Sequence, residues 1–191
     1  KVLLAGFLVA AFFDLLEGLS PPADADSLAY HFATPRLFLN EGALFFIPRA
    51  NTGATPPLQQ MTYLFALGLG GERALTLWSM LTGWGATAML YVVLRRHLGR
   101  TWSLSVALVF LTTPAVIYGG GTGQVEIRNA MFVLAAAVAV AEALRSGQVR
   151  YAILAGVLAG FYVGSKYPGL LFAFACGLAL IFQRRGVLHG L

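Results

Sequence analysis

Long apolar stretches broken by short polar connections run along most of the chain, and the spacing of the breaks sets its elements. Apolar runs of helical length fall at 2–19, 72–95, 101–118, 125–144, 150–166 and 168–183. A bilayer core of about 30 Å takes roughly 20 helical residues. The pattern therefore predicts an all-α, polytopic transmembrane helix bundle of about six spans, the first and the last two of them short. Residues 20–71 break the rhythm. Asp26 or Ser27 is placed to cap a short helix, which Pro35 must interrupt because proline has no N–H and disfavours helix in the residue before it. Thr34-Pro35 then reads as cap and first position of a second short helix ending near Asn40-Glu41-Gly42. Phe45, Phe46 and Ile47 suit an interface, and Pro48 to Pro57 is a loop. The run Leu58 to Leu69 is apolar but too short to span, so it reads as interfacial or re-entrant.

Composition sharpens the membrane reading. Of 191 residues 58% are hydrophobic and 11% charged, against about 25% charged in ordinary soluble domains. The chain reads as an integral, multi-pass membrane protein. A cleavable leader is the rival reading for the first run, with Lys1 ahead of it and Ala23-Asp24-Ala25 as the cleavage site. Asp14 and Glu17 inside the run, and the prolines before that site, favour a span. Those two acids are functional suspects, or simply reach the interface from the helix end. The single Cys176 builds no disulfide and no thiolate metal site. A net charge of +5 invites a nucleic-acid partner, but the basic residues are scattered, so none is expected.

Charge instead orders the topology. Lys1, Arg95, Arg96, Arg100, Arg145, Arg150, Arg184 and Arg185 fall on one side if 58–69 does not cross, and the positive-inside rule makes that side cytoplasmic. The opposite, extracytoplasmic face then collects the long first loop with its short interfacial helices, the 119–125 connection and the turn at Lys166-Tyr167. Asp24, Asp26, His31, Arg36, Arg49, Glu126, Arg128 and Lys166 gather there. The chain opens on Lys1 and stops beyond a basic connection, so residues 1–191 are expected to be the N-terminal part of one larger transmembrane domain.

The order Pro21-Pro22, Asp26-Ser27-Leu28-Ala29-Tyr30-His31, Pro35-Arg36, Pro56-Pro57-Leu58, Gly70-Gly71-Glu72-Arg73, Leu94-Arg95-Arg96 and Ser165-Lys166-Tyr167 resembles the N-terminal part of GT-C glycosyltransferases. These polytopic enzymes include the protein O-mannosyltransferases and the lipid A aminoarabinose transferases. The resemblance covers nearly the whole chain through order and spacing rather than one motif. It implies a polyprenyl-phosphate sugar as donor, membrane lipid as a partner, and an active site facing outward from a bacterial inner membrane. It also implies that Asp26, with Asp24 as the other choice, holds the catalytic acidic position after the first span. The family often has adjacent acids there, whereas alanine separates these two, which leaves open which one acts.

The chemistry agrees on its own terms. Transfer from a lipid phosphate needs a carboxylate to take the acceptor hydroxyl proton, and cations to face the departing phosphate. Arg36, Arg128 and Lys166 are the cationic candidates, and His31, Glu126 and Tyr167 complete the expected substrate-binding set. A divalent cation held by Asp24, Asp26 and Glu126, with His31, is an option, although the spacing matches no standard site. Each residue has a plainer reading beside this one. The two aspartates suit helix caps, Tyr30-His31 an interfacial aromatic pair, Glu126 a helix dipole and Lys166 a snorkelling anchor. The run Gly119-Gly120-Gly121-Thr122-Gly123-Gln124 lacks the Gly-Lys-Ser/Thr of a P-loop and reads as a flexible turn. A secondary transporter would place charges at mid-bilayer and show an inverted repeat, neither of which is visible. A non-catalytic assembly subunit would point its acids apart. The sugar and the acceptor are not legible.

Overall fold

The computed structural model describes residues 1–48 and 55–188, whose regular structure is all helical, with no strand among them. Arg49, expected among the outer-face charges, lies outside the described residues. Eight α-helices follow in order: α1 (Val2–Leu19), α2 (Ala33–Glu41), α3 (Leu58–Leu94), α4 (Arg100–Leu111), α5 (Pro114–Gly121), α6 (Glu126–Ser146), α7 (Val149–Val163) and α8 (Pro168–Leu188). A π-helical turn, Ser27–His31, precedes α2. The chain divides into two compact units, 1–54 with 59–128, and 55–58 with 129–191.

Among the described residues three helices, α1, α3 and α6, are long and apolar enough to cross a membrane, and a fourth crossing results if α4 and α5 count as one. That pair is bent by 64°. The expected straight span at 101–118 is broken because Thr113 is extended and Pro114 opens a new helix. Helices α7 and the apolar part of α8, Pro168–Phe182, fall short of span length. Among the described residues, length and composition thus support three or four of the six expected spans. The membrane character itself is written on the surfaces. Helix α1 turns Leu4, Leu8, Phe12, Phe13 and Leu16 outward and buries Ala10, Asp14 and Gly18. This is the reverse of a water-facing helix and the pattern a lipid solvent selects.

In the first unit α1 packs on α4 and α5. Gly6 lets Leu108 approach and Gly18 does the same for Met80 and Leu77. Thr76 then donates its hydroxyl to the Gly18 carbonyl. Helix α3 is not one rod. Gly70 and Gly71 leave helical geometry, and Gly71 takes φ +65°, which favours glycine. Trp78 Nε1 donates to Thr62 Oγ1 over 3.1 Å. Sixteen residues of straight helix would hold those positions about 24 Å apart. The segment therefore doubles back, and the legs 58–69 and 72–94 lie side by side. Tyr63 from the first leg and Leu75 from the second pack with Phe32 and Val125 in the buried core.

The second unit is a simpler assembly. Ala139, Val140 and Ala155 form its buried centre, flanked by Leu144, Leu158, Cys176 and Leu180. Phe132 stacks on Phe161 with ring centroids 4.9 Å apart. Leu58 N–H donates to the Gly164 carbonyl at 2.8 Å.

Candidate active site

The first loop is organised by Asp24. Its side chain is 7% exposed, and both oxygens are fully engaged. Oδ2 accepts the Ser27 backbone N–H at 2.8 Å and the Ser27 hydroxyl at 2.7 Å. Oδ1 accepts the Tyr118 hydroxyl at 2.5 Å and the Gln124 amide at 3.2 Å. Accepting an N–H three residues on is helix-capping geometry. The cap expected from Asp26 or Ser27 is thus supplied by Asp24, and Asp26 makes no capping bond. Burial pushes the Asp24 carboxyl up, but the hydrogen bonds from Tyr118, Ser27 and Gln124 outweigh it and hold the group below its ordinary value. A carboxylate so stabilised is a poor proton acceptor.

The capped turn winds as a π-turn, with Phe32 N–H reaching the Ser27 carbonyl five residues back at 2.9 Å. Such turns are frequent at functional sites. It leaves Asp26 exposed and sets the half-buried Tyr30 phenol in the field of its carboxylate. Burial pushes the Tyr30 phenol up to about 12, helped by the negative charges of Asp26, Glu126 and Asp24. Tyr30 therefore stays a neutral donor throughout the working pH range. Glu126, exposed at the start of α6, thus shares an electrostatic neighbourhood with Asp26 although a hundred residues separate them in sequence. His31 is fully buried, tilted against Tyr30, and takes a hydrogen bond at Nδ1 from the Gln60 amide at 3.1 Å.

The glycine run is not the flexible turn expected of it. Gly119, Gly120 and Gly121 are helical and buried in α5. The Glu17 carboxylate lies where a Gly121 side chain would be, and Gly83 approaches Gly120. Missing side chains here admit neighbours. Gly123 is pinned from three sides. Its N–H donates to Ser27 Oγ at 2.8 Å, its carbonyl accepts the Tyr63 hydroxyl at 2.8 Å, and a Cβ would overlap the Phe32 ring and Ser27 Oγ. Gly123→Ala is accordingly expected to cost about 1–3 kcal/mol by overpacking, read as a lower melting temperature in detergent. An unchanged melting temperature would show that the loop yields.

Two arginines take different positions. Arg128, 4% exposed, directs Nε and Nη2 to Thr82 Oγ1 at 3.2 and 3.1 Å, and Nη1 to Thr62 Oγ1 at 2.8 Å and the Gln59 carbonyl at 3.3 Å. Its guanidinium lies 4.9 Å from the Tyr63 ring centroid and 5.8 Å from that of Trp78. It braces both legs of α3. Arg36 is half exposed and ion-paired with Glu72. The pair borders a groove of about 280 Å³ lined chiefly by Pro22, Leu28, Phe32, Leu37 and Leu75. Lys166 and Tyr167 belong to the second unit, in the turn before α8. Among the described residues no three His, Cys, Asp or Glu side chains gather closely enough to hold a metal ion.

A family model described as dolichyl-phosphate-mannose-protein mannosyltransferase matches residues 56–189. The chain belongs to that family. Membership in this mannosyltransferase family makes the protein a glycosyltransferase-type enzyme of the membrane. The matched segment contains Glu126, Arg128, Lys166 and Tyr167. Asp24, Asp26, His31 and Arg36 precede it, so their roles in this mannosyltransferase-family chain rest on geometry and sequence pattern. No curated protein and no solved structure matches the chain.

Sequence reasoning missed Tyr118, read Ser27 only as a cap and Gly123 and Gln124 only as part of a flexible turn, and gave Gln60 and Tyr30 no chemical role. The Asp24-Ala25-Asp26-Ser27 spacing carried the capping signal. Nothing local in the sequence announced that Tyr118 and Gln124 would close on Asp24 from 94 and 100 residues away.

Proposed function

We propose that this protein transfers a sugar from a polyprenyl-phosphate carrier to a hydroxyl-bearing acceptor on the extracytoplasmic face, with Asp26 as general base. The observation that carries this reading is the division of labour in the first loop. Asp24 is buried and saturated, while Asp26 two residues on is exposed and shares with Glu126 the electrostatic surroundings of a neutral phenol, Tyr30. In the step proposed, Asp26 takes the acceptor hydroxyl proton as its oxygen attacks the anomeric carbon. The bond from that carbon to the phosphate oxygen breaks, and polyprenyl phosphate leaves with the electron pair. Such base catalysis supplies about 10²–10⁴-fold of rate.

Arg36 is the cation assigned to the carrier phosphate, since it stands half exposed at the rim of an apolar groove suited to isoprenoid chain. Arg128 is committed to its threonines and rings, so its part is to hold the site's frame. Glu126 is assigned to the acceptor or sugar hydroxyls. The roles of Lys166 and Tyr167 towards the carrier headgroup rest on sequence alone. The outward orientation rests on the basic connections at 95–100, 145–150 and 184–185, and the bacterial inner-membrane setting on the family resemblance alone.

The test is a donor comparison with the full-length protein in vesicles. Labelled mannose supplied on polyprenyl phosphate is expected to move to endogenous acceptors, while the same sugar supplied as a nucleotide diphosphate is not used. Transfer from the nucleotide sugar alone would overturn the reading.

A further inference from the structure

We infer that Asp24 is a positioning residue: its carboxylate draws three separate segments together and fixes the turn that presents Asp26, setting the rate of transfer without touching substrate. The inference rests on the base role proposed for Asp26.

Four donors converge on the two Asp24 oxygens, namely the Ser27 N–H, the Ser27 O–H, the Tyr118 O–H and the Gln124 amide. The direction of the chain is fixed by its far end. Gly123 N–H donates to Ser27 Oγ, which leaves the Ser27 proton to be given to Asp24. Only a group that accepts at both oxygens closes this arrangement. An asparagine turned either way aims its own N–H₂ at two donors. Asp26 lies inside the short ring closed between Asp24 and Ser27, with helical φ −70° and ψ −37°. Its direction is therefore set by Asp24. The same knot ties the first loop to residues 118–124, directly ahead of Glu126, so one carboxylate sets the position of both exposed acids.

Such a residue acts on the reacting geometry rather than on binding. A displacement of about 1 Å at a reacting group costs on the order of 100-fold in rate. The test measures kcat and KM for carrier-linked sugar in the full-length protein, comparing Asp24→Asn, Tyr118→Phe, Asp26→Asn and the Asp24→Asn/Asp26→Asn pair. Asp24→Asn is expected to lower kcat about 100-fold, with KM for the carrier within about twofold of wild type. Tyr118→Phe removes one oxygen from a side chain that is 49% exposed, so the fold survives, and kcat is expected to fall about 10-fold. Because Asp24 acts through Asp26, the pair is expected to be no slower than Asp26→Asn alone.

Wild-type kcat in Tyr118→Phe and Asp24→Asn, or a loss confined to KM, would overturn the inference while leaving Asp26 as base. A pair whose losses multiply would overturn it as well, since Asp24 would then act independently. Full activity of Asp26→Asn would overturn the base role, and the inference with it.

Discussion

Asp26→Asn is expected to slow sugar transfer by about 10²–10⁴-fold while the protein folds and melts as the wild type does. The substitution keeps the shape of the side chain. It removes the ability to take a proton. Asp26 is exposed and makes no capping bond, so its loss leaves no buried group unpaired. Initial rates with carrier-linked sugar, paired with thermal melting in detergent, separate the two effects. More than about a tenth of wild-type activity in a well-folded variant lies outside the range of base removal and would move the proton acceptor elsewhere, with Glu126 the next carboxylate to test.

The second large effect is on stability, at Arg128. A buried guanidinium is held by four contacts to Thr82, Thr62 and the Gln59 carbonyl, and it sits against Tyr63 and Trp78. Cation–π stacking in a desolvated site is worth about 2 kcal/mol, and each hydrogen bond to a charged group about 1.5–3. The cost of burying the charge offsets a large part of that sum. The expected net loss for Arg128→Ala is about 3 kcal/mol, or roughly 6–12 °C in melting temperature for a chain of this size. Arg128→Lys is expected to recover little, because an ammonium cannot fork between threonines on two separate legs. Melting of both variants in detergent checks this. A lysine variant as stable as wild type would mean that charge alone, not the fork, holds the α3 hairpin.

The regular parts of the fold are legible because local signals set them. The second loop helix is expected to end at Asn40-Glu41-Gly42, and α2 does end at Glu41, with Gly42 at φ +62° as its cap. The short run at Leu58–Leu69 is separable from the longer leg at 72–94 because twelve residues give only about 18 Å of helix, and Gly70-Gly71 marks the fold-back. The bend at Thr112–Thr113 escapes the sequence reading although Pro114 is in view, since hydropathy is blind to direction. The glycine run misleads for a related reason. Glycine reads as freedom when its neighbours are unknown, yet at Gly121 it makes room for the Glu17 carboxylate. Within the site, sequence points to Asp24 and Asp26 as a pair but cannot divide their roles. That division depends on Tyr118 and Gln124, which only tertiary closure brings near. Arg128 reads as a phosphate ligand because a cation beside an acidic loop suggests one, and no local pattern announces the bonds it makes to Thr62, Thr82 and the Gln59 carbonyl on α3.

The bonds linking Asp24 and Ser27 to Tyr118, Gly123 and Gln124 close over 94 to 100 residues. During synthesis at about 5–20 residues per second, the acidic loop leaves the ribosome several seconds before its fasteners exist. Until α5 and the residues after it have been made, the turn that presents Asp26 lacks its long-range fasteners, so on the proposed reading the base is not held in place before residue 124 has been synthesised.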